Sequence, residues 1–393
     1  MAVSHAPTVA SAAPRTSRTG RRVLFFGTYD ARKYPRVQVL QEGFAALGDE
    51  VLECNVPLRL DTAARVRMLR RPWTVPLLAL ELAACWVRLI ARARRFRGVD
   101  LVVVGYMGHF DVHLARLLWP RTPVALDHLV SAGDTALDRG ASSGWLVRML
   151  DRLDRAAVNA AHFPCVDTAE HRERVWLPAR PRSVVVPVGA PASWFYPPVR
   201  HASDRVRVVF FGSFTPLQGA PVIGEALRML ADDERFAFTI VGRGQDYDAT
   251  RGRAAAGASN VEWIDWVEPE QLPYLVACHD VCLGIFGTGP KALRVVPNKV
   301  FQGAAAGAAI VTSDTPPQRQ ELCDSAVFVP AGDAAALAVA LRSLADDRDR
   351  LWKLRRAAFG RANERFHPAA VIEALNERLP ATVSAAATRP LAA

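Results

Sequence analysis

Residues 281–314, VCLGIFGTGPKALRVVPNKVFQGAAAGAAIVTSD, decide the fold. They read as a buried apolar strand, a Gly/Pro loop carrying Lys291 and Arg294, a short helix opened by Pro297, and a second apolar strand at 308–312. Proline in the first helical turn loses no hydrogen bond, because the first N–H groups of a helix have no intrahelical partner. Those free N–H groups, the positive end of the helix dipole and the cations Lys291, Arg294 and Lys299 together make an anion site. The small residues at 303–307 let the helix lie close against the sheet behind it.

The same strand–glycine–helix device recurs upstream. Residues 207–219, RVVFFGSFTPLQG, give an apolar strand, the Gly212-Ser213 turn and a loop that ends at Gln218-Gly219 before a helical run. A glycine at 212 leaves room for a phosphate or sugar where a side chain would block it. Residues 236–245, FAFTIVGRGQ, repeat the pattern with Gly242, Arg243 and Gly244. Taken singly, each is ordinary turn chemistry. Three such loops in series read as one ligand crevice at the C-terminal ends of parallel strands.

Strands and helices also alternate through the first half. Apolar strands are expected at 22–27 (ending in Gly27), 50–55, 100–105, 122–127 and 183–188, with helices at 36–47 and 151–161 and a long arginine-rich helical region between. Such alternation predicts a parallel sheet covered on both faces. A chain of 393 residues, half of them hydrophobic, can build two cores of ordinary size. The expected organisation is a disordered leader at 1–20, a first domain at 21–188, a Pro-rich linker at 189–205 and a second domain at 206–365. A terminal helix at 366–380 follows a His-Pro break, and 381–393 is a disordered tail.

The three loops, and PNKVFQGAAAGAAIV above all, resemble family 4 of the GT-B glycosyltransferases (glycosyl transferases group 1), whose typical text is PNKxFEAMAxGxPV. The resemblance runs from Val23 to Leu379. It implies an α/β chain of GT-B fold, two Rossmann-like doubly wound domains facing across a cleft, with the terminal helix crossing back to the first. It also implies transfer, with retention, from a UDP- or GDP-linked sugar to a hydroxyl acceptor, without a cofactor or metal. Donor contacts would come from Gly27, Gly212, Ser213, Gln218, Gly219, Gly242, Arg243, Gly244, Lys291, Arg294, Pro297, Asn298 and Lys299, with Gln302 on the ribose. Two departures stand out. Gln218 occupies the place of a phosphate-binding lysine, and Arg294 and Gln302 occupy the places of two glutamates eight positions apart. Gln302 can still accept a ribose hydroxyl through its amide oxygen.

The loop after the strand at 100–105, GYMGHFD, sets His109 in a glycine-flanked turn with Asp111 at the helix start. The family often carries a histidine in the corresponding loop, near the anomeric carbon, and this makes His109 a catalytic candidate. The plainer reading is a helix-start histidine. Asp127 ends a strand on the ligand side of the sheet and is the second catalytic candidate; Asp111 and Asp134 are acceptor candidates, Asp134 being equally suited to an N-cap. No metal is expected: Asp246-Tyr247-Asp248 and Asp347-Arg348-Asp349 lie at helix starts or in surface runs, where acidic residues complement the dipole.

The net charge of +10 is carried almost entirely by arginine. No zinc-finger, helix-turn-helix or RNP-type motif accompanies it, which argues against nucleic acid. The arginines cluster at 59–97 around WTVPLLALELAACWVRLI (73–90), which is too short, too acidic and too Pro-broken for a membrane span. It reads either as an interfacial helix anchored by Trp73 and Trp86 against anionic lipid, or as a core helix with a solvated basic flank. Six scattered cysteines without CxxC spacing suit a reduced, cytoplasmic protein; the interfacial reading of 73–90 would set it at the inner face of a membrane, with a lipid-linked acceptor. A soluble tailoring transferase, a GT-B-shaped sugar-nucleotide epimerase and a catalytically silent binder would share the same nucleotide loops.

Overall fold

The structure, a computed structural model, describes residues 20–30, 35–58, 75–129, 131–138, 144–200, 203–254 and 258–379. The expected leader up to residue 19, the expected tail and the arginine-rich segment 59–74, with Trp73, lie outside them.

Two six-stranded parallel sheets carry the chain. The first contains β1 (Arg22–Gly27), β2 (Glu50–Asn55), β3 (Leu101–Val104), β4 (Val124–Asp127), β5 (Phe163–Val166) and β6 (Val184–Val185), in the order β2-β1-β3-β4-β5-β6. Its helices are α1 (Pro35–Ala46), α2 (Val75–Ala93), α3 (Asp111–Leu118), α4 (Ala132–Asp138), α5 (Trp145–Ala160) and α6 (Ala169–Arg174). The second sheet holds β7 (Val206–Phe211), β8 (Phe236–Val241), β9 (Val261–Ile264), β10 (Val281–Leu283), β11 (Ala309–Ser313) and β12 (Ala326–Val329), in the order β12-β11-β10-β7-β8-β9. Around it lie α7 (Ala220–Met229), α8 (Tyr247–Arg253), α9 (Leu272–Ala277), α10 (Asn298–Ala305), α11 (Pro316–Leu322), α12 (Ala334–Asp346) and α13 (Arg348–Arg361). Strands such as LVVV and VALD are buried at every position, because helices cover both faces; this is why they read as apolar runs, broken only by Asp127 at the end of the second.

Strand order reverses between β1 and β3 in the first sheet and between β7 and β10 in the second. At such a switch point the connections leave in opposite directions and open a crevice beyond the C-terminal strand ends. That puts the loops after Gly27 and Val104 together in one domain, and the loops after Phe211 and Leu283 together in the other.

Two local expectations change. Pro297 is the N-cap of α10, and Asn298 is its first helical residue, so the proline stands one position outside the helix. β5 was not expected at all. It is four residues long and contains Pro164, which usually argues against an inner strand. The ladder to β6 begins only at Cys165, so the missing proline N–H has no partner to disappoint on that side.

Beyond α13 the chain passes Phe366, in the second core, into α14 (Pro368–Val371) and α15 (Glu373–Arg378). Val371, Ile372, Leu375 and Leu379 are buried with Val23, Phe25 and Phe44 of the first domain, and Arg21 donates to Asn376 at 2.7 Å.

Candidate active site

Lys299 is the most unusual cation of the second domain. It sits in the first turn of α10, 4 % exposed, and its Nζ has no hydrogen-bond partner among the described residues. The ammonium lies 3.6 Å from the Phe210 ring centroid, and a Cβ built on Gly212 would be 3.4 Å from Nζ. Burial pushes the amine down to about 7, with neighbouring Cys282 opposing the shift. A buried cation without a partner is costly, and an anion seated on the exposed Gly212-Ser213 turn would supply one. Gln302, one turn further along α10, lies on the same face and is also buried. Gln218 is buried with its Oε1 unpaired, while its carbonyl accepts from Phe286 N.

Not every glycine of these loops waits for a ligand. Gly219 (φ +61°) has no space for a Cβ, which would fall 2.3 Å from Gly287 N, and a Cβ on Gly242 (φ +120°) would fall 2.2 Å from Gly212 O. These two, with Gly244 against Phe214, let the three loops interlock, and Gly212 is where room remains. Arg243 is exposed, bound to Asp265 at 2.6 Å and stacked on Tyr247.

Lys291 and Arg294 have partners other than the phosphate loop. Lys291 Nζ donates to Thr135 Oγ1 at 3.1 Å, Arg294 pairs with Asp134 at 3.4 Å, and Thr168 Oγ1 donates to the Arg294 carbonyl at 3.0 Å. They therefore tie the second domain to the first across the cleft. Asp134 is no N-cap either: Ser131 Oγ accepts from Asp134 N, and the Asp134 carboxylate is shared between Arg294 and Arg174.

The first-domain candidates likewise have partners within the fold. Asp111 is buried and saturated: Oδ2 accepts from Thr28 N and Oγ1, and Oδ1 accepts from Trp86 Nε1 at 2.9 Å. It joins the β1 loop, where a Cβ on Gly27 would meet Asp111 Oδ2 at 3.0 Å, to α2 and α3. Asp127 forms a buried pair with Arg36 at 3.1 Å; burial raises its carboxyl, with Arg36 opposing. Both carboxylates serve the fold before they could serve a substrate.

His109 is 5 % exposed, and its Nε2 stands 2.8 Å from Asp154 Oδ1. Its ring meets His128 edge-on at 5.2 Å. His128, unlike His109, lines a cavity of 320 Å³ together with Ser131, Asp134, Asp154 and His171. Its Nδ1 is covered and unpaired among the described residues, and burial with His109 nearby pushes the imidazole down to about 4. It is thus neutral at pH 7, with a ring nitrogen able to accept a hydrogen bond from a hydroxyl. In the sequence, LDHLVSAGDTALDRG shows His128 beside Asp127 but assigns it no role, and Asp154 and the Asp167–His171 pair give no signal at all. Asp154 lies on α5, far along the chain, and only the fold delivers it.

His109, His128 and Asp154 bring their ligand atoms within 4.8 Å of one another, the spacing of a candidate metal group. The Asp154 carboxylate is already committed: Oδ2 accepts from Ser131 Oγ and Gly133 N, and Oδ1 from Ala132 N, beside His109. With about four lone-pair directions per carboxylate, little is left for a metal.

Residues 205–347 match the family Glycosyl transferases group 1. No curated protein matches the chain in sequence. Among solved structures it is similar to sucrose-phosphate synthase from Thermosynechococcus elongatus (TM-score 0.67, 15 % identity, 91 % of this chain and 97 % of that one). It is likewise similar to Anabaena HepE in complex with UDP-glucose (0.63, 13 %, 91 % and 99 %). A third is the UDP-forming α,α-trehalose-phosphate synthase from Burkholderia vietnamiensis (0.62, 15 %, 93 % and 98 %). These likenesses carry the fold, and the sequence match over the second domain carries the class. The chain has the GT-B fold, and its second domain matches the glycosyl transferases group 1 over residues 205–347.

Proposed function

We propose that the enzyme moves a sugar from a nucleoside diphosphate to a hydroxyl acceptor, with retention and without a metal ion. The observation that carries this reading is Lys299, a buried cation lacking a hydrogen bond and facing the free Gly212 turn at a strand-order switch. Lys299 and the N-terminus of α10 would hold the diphosphate and stabilise it as it leaves. Gln302 would meet the ribose, and UDP is the favoured nucleotide because similar folds hold it. His128 would take the place first assigned to His109, beside the reacting carbon, with His109 holding Asp154 behind it.

The test is incubation with UDP-glucose, UDP-N-acetylglucosamine and GDP-mannose plus a panel of hydroxyl acceptors. Acceptor-dependent release of UDP or GDP, unchanged by EDTA, is expected, and proton NMR of the product should show the donor's anomeric configuration. Release of an epimerised sugar nucleotide, a requirement for metal, or binding without turnover overturns the corresponding part.

Membrane contact at the cytoplasmic face is part of this reading. Among the described residues, no helix is long and apolar enough to cross a membrane. α2 nevertheless has two apolar faces. Cys85, Leu89 and Ala93 are buried in the first core, whereas Leu77, Leu80 and Val87 are 61 %, 68 % and 68 % exposed. Trp86 is no lipid anchor, since its indole N–H is tied to Asp111. Exposed Arg88, Arg92, Arg94, Arg95 and Arg97 continue from the apolar row, which suits an anionic surface with a lipid-linked acceptor. The protein should sediment with phosphatidylglycerol vesicles and not with phosphatidylcholine alone, and should be released by salt. Leu77→Asp/Leu80→Asp should abolish sedimentation; equal binding by the double variant overturns the contact.

A further inference from the structure

One face of α5 forms a wall of the 320 Å³ cavity: Asp151, Asp154, Arg155 and Val158 line it at i, i+3, i+4 and i+7. Some of its polar groups are already engaged, Asp154 by α4 and Asp134 by Arg174 and Arg294. Others are not. The Asp151 carboxylate has no hydrogen bond or ion pair among the described residues, and His128 Nδ1 is buried without a partner. Trp176 lines the same cavity, 41 % exposed, with the Arg155 guanidinium 4.9 Å from its ring centroid. Asp134 lines the cavity and also meets Arg294 of the second domain, so this space adjoins the cleft.

We propose that this cavity seats the acceptor and recognises a neutral, hydroxyl-rich ring, a saccharide or a cyclitol. The acceptor role rests on the transferase reading above, whereas the ring recognition stands on the cavity itself. Three arguments fix the class. Three carboxylates (Asp134, Asp151, Asp154) line the wall against two guanidiniums (Arg155, Arg174) and His171, which is already paired with Asp167, and this leaves no positive surplus for a phosphate. Its volume lies at the small end of the roughly 300–1,000 Å³ typical of ligand pockets, enough for a single ring and not for a chain. A free carboxylate accepts two hydroxyl donors and the Arg155 guanidinium donates, while the indole that Arg155 steadies offers an apolar surface to the C–H side of a ring.

Saturation-transfer NMR on the full chain with UDP present tests this, using D-glucose, D-mannose, N-acetyl-D-glucosamine and myo-inositol as probes and 4-nitrophenol and glycerol 3-phosphate as contrasts. At least one ring probe should bind. Trp176→Ala and the isosteric Asp151→Asn should each weaken that binding by about tenfold. Ring binding that is unchanged in both variants overturns the proposal. So does binding of 4-nitrophenol or glycerol 3-phosphate with no ring probe bound. UDP calorimetry on the same samples keeps the two readings apart. A wild type that fails to bind UDP sinks the transferase reading, and the ring signal still decides the cavity. UDP affinity within twofold of wild type shows that the variants are folded.

Discussion

Lys299→Met is expected to raise the melting temperature and, in the same protein, to weaken UDP binding by about tenfold to a hundredfold. Both effects follow from one buried amine. Among the described residues Nζ has no hydrogen-bond partner, and burial pushes its pKa down to about 7. Methionine fills a similar volume without a charge to desolvate, so a gain of ~2–4 kcal/mol is expected, or roughly 5 °C or more. The loss of UDP affinity reflects a charge-assisted bond, ~1.5–3 kcal/mol. Binding should also carry a proton signature. Because the free amine is half protonated near neutrality, an anion that needs the charged form must draw a proton onto it as pH rises above 7. Affinity should then fall by up to about tenfold per pH unit. Calorimetry of wild type in PIPES and Tris at matched pH should show uptake approaching one proton above pH 8. UDP affinity within twofold of wild type in Lys299→Met removes Lys299 from the phosphate site.

Asp154→Ala is expected to destabilise the first domain by ~3–5 kcal/mol and to abolish turnover. The substitution strands Ser131 Oγ and the N–H groups of Ala132 and Gly133 at the start of α4, and leaves His109 facing a void. The same cluster predicts acid lability in two steps. His128 is pushed down from 6.5 to about 4, so between those values the unfolded chain binds more protons than the folded one, and stability falls as pH drops through that window. Burial raises Asp154, but the hydrogen bond and charge of His109 outweigh it and bring the carboxyl to about 2. Its contribution, about 2 kcal/mol, is therefore present above pH 4 and lost as pH falls toward 2. Urea melts at intervals from pH 7 to pH 3 should show the upper step in wild type and a flatter profile in His128→Asn. Identical profiles would show that His128 does not carry the step. Asp154→Ala melting as wild type would make the α4 cap dispensable.

The sequence by itself determined the architecture. Inner parallel strands are apolar along nearly their whole length, so β1, β3, β7 and β10 stand out as runs that end at or just before a glycine. Their alternation with helices admits few arrangements. Residue 299 was legible as a phosphate candidate for a similar local reason, since it lies in the first turn of the helix that follows a strand. What local pattern could not show is which groups are already satisfied. Asp111, Asp127, Lys291, Arg294 and Asp134 each carry the right chemistry, yet their partners stand at Thr28, Arg36, Thr135 and Arg174, joined to them only by folding. Conversely, His128, Asp151 and Trp176 come from three separate elements and form one cavity solely because the sheet order sets those elements side by side. Backbone periodicity is encoded over a few residues, whereas the pairing of polar groups depends on distances across the whole fold; the chain therefore specifies its fold locally and its site only in three dimensions.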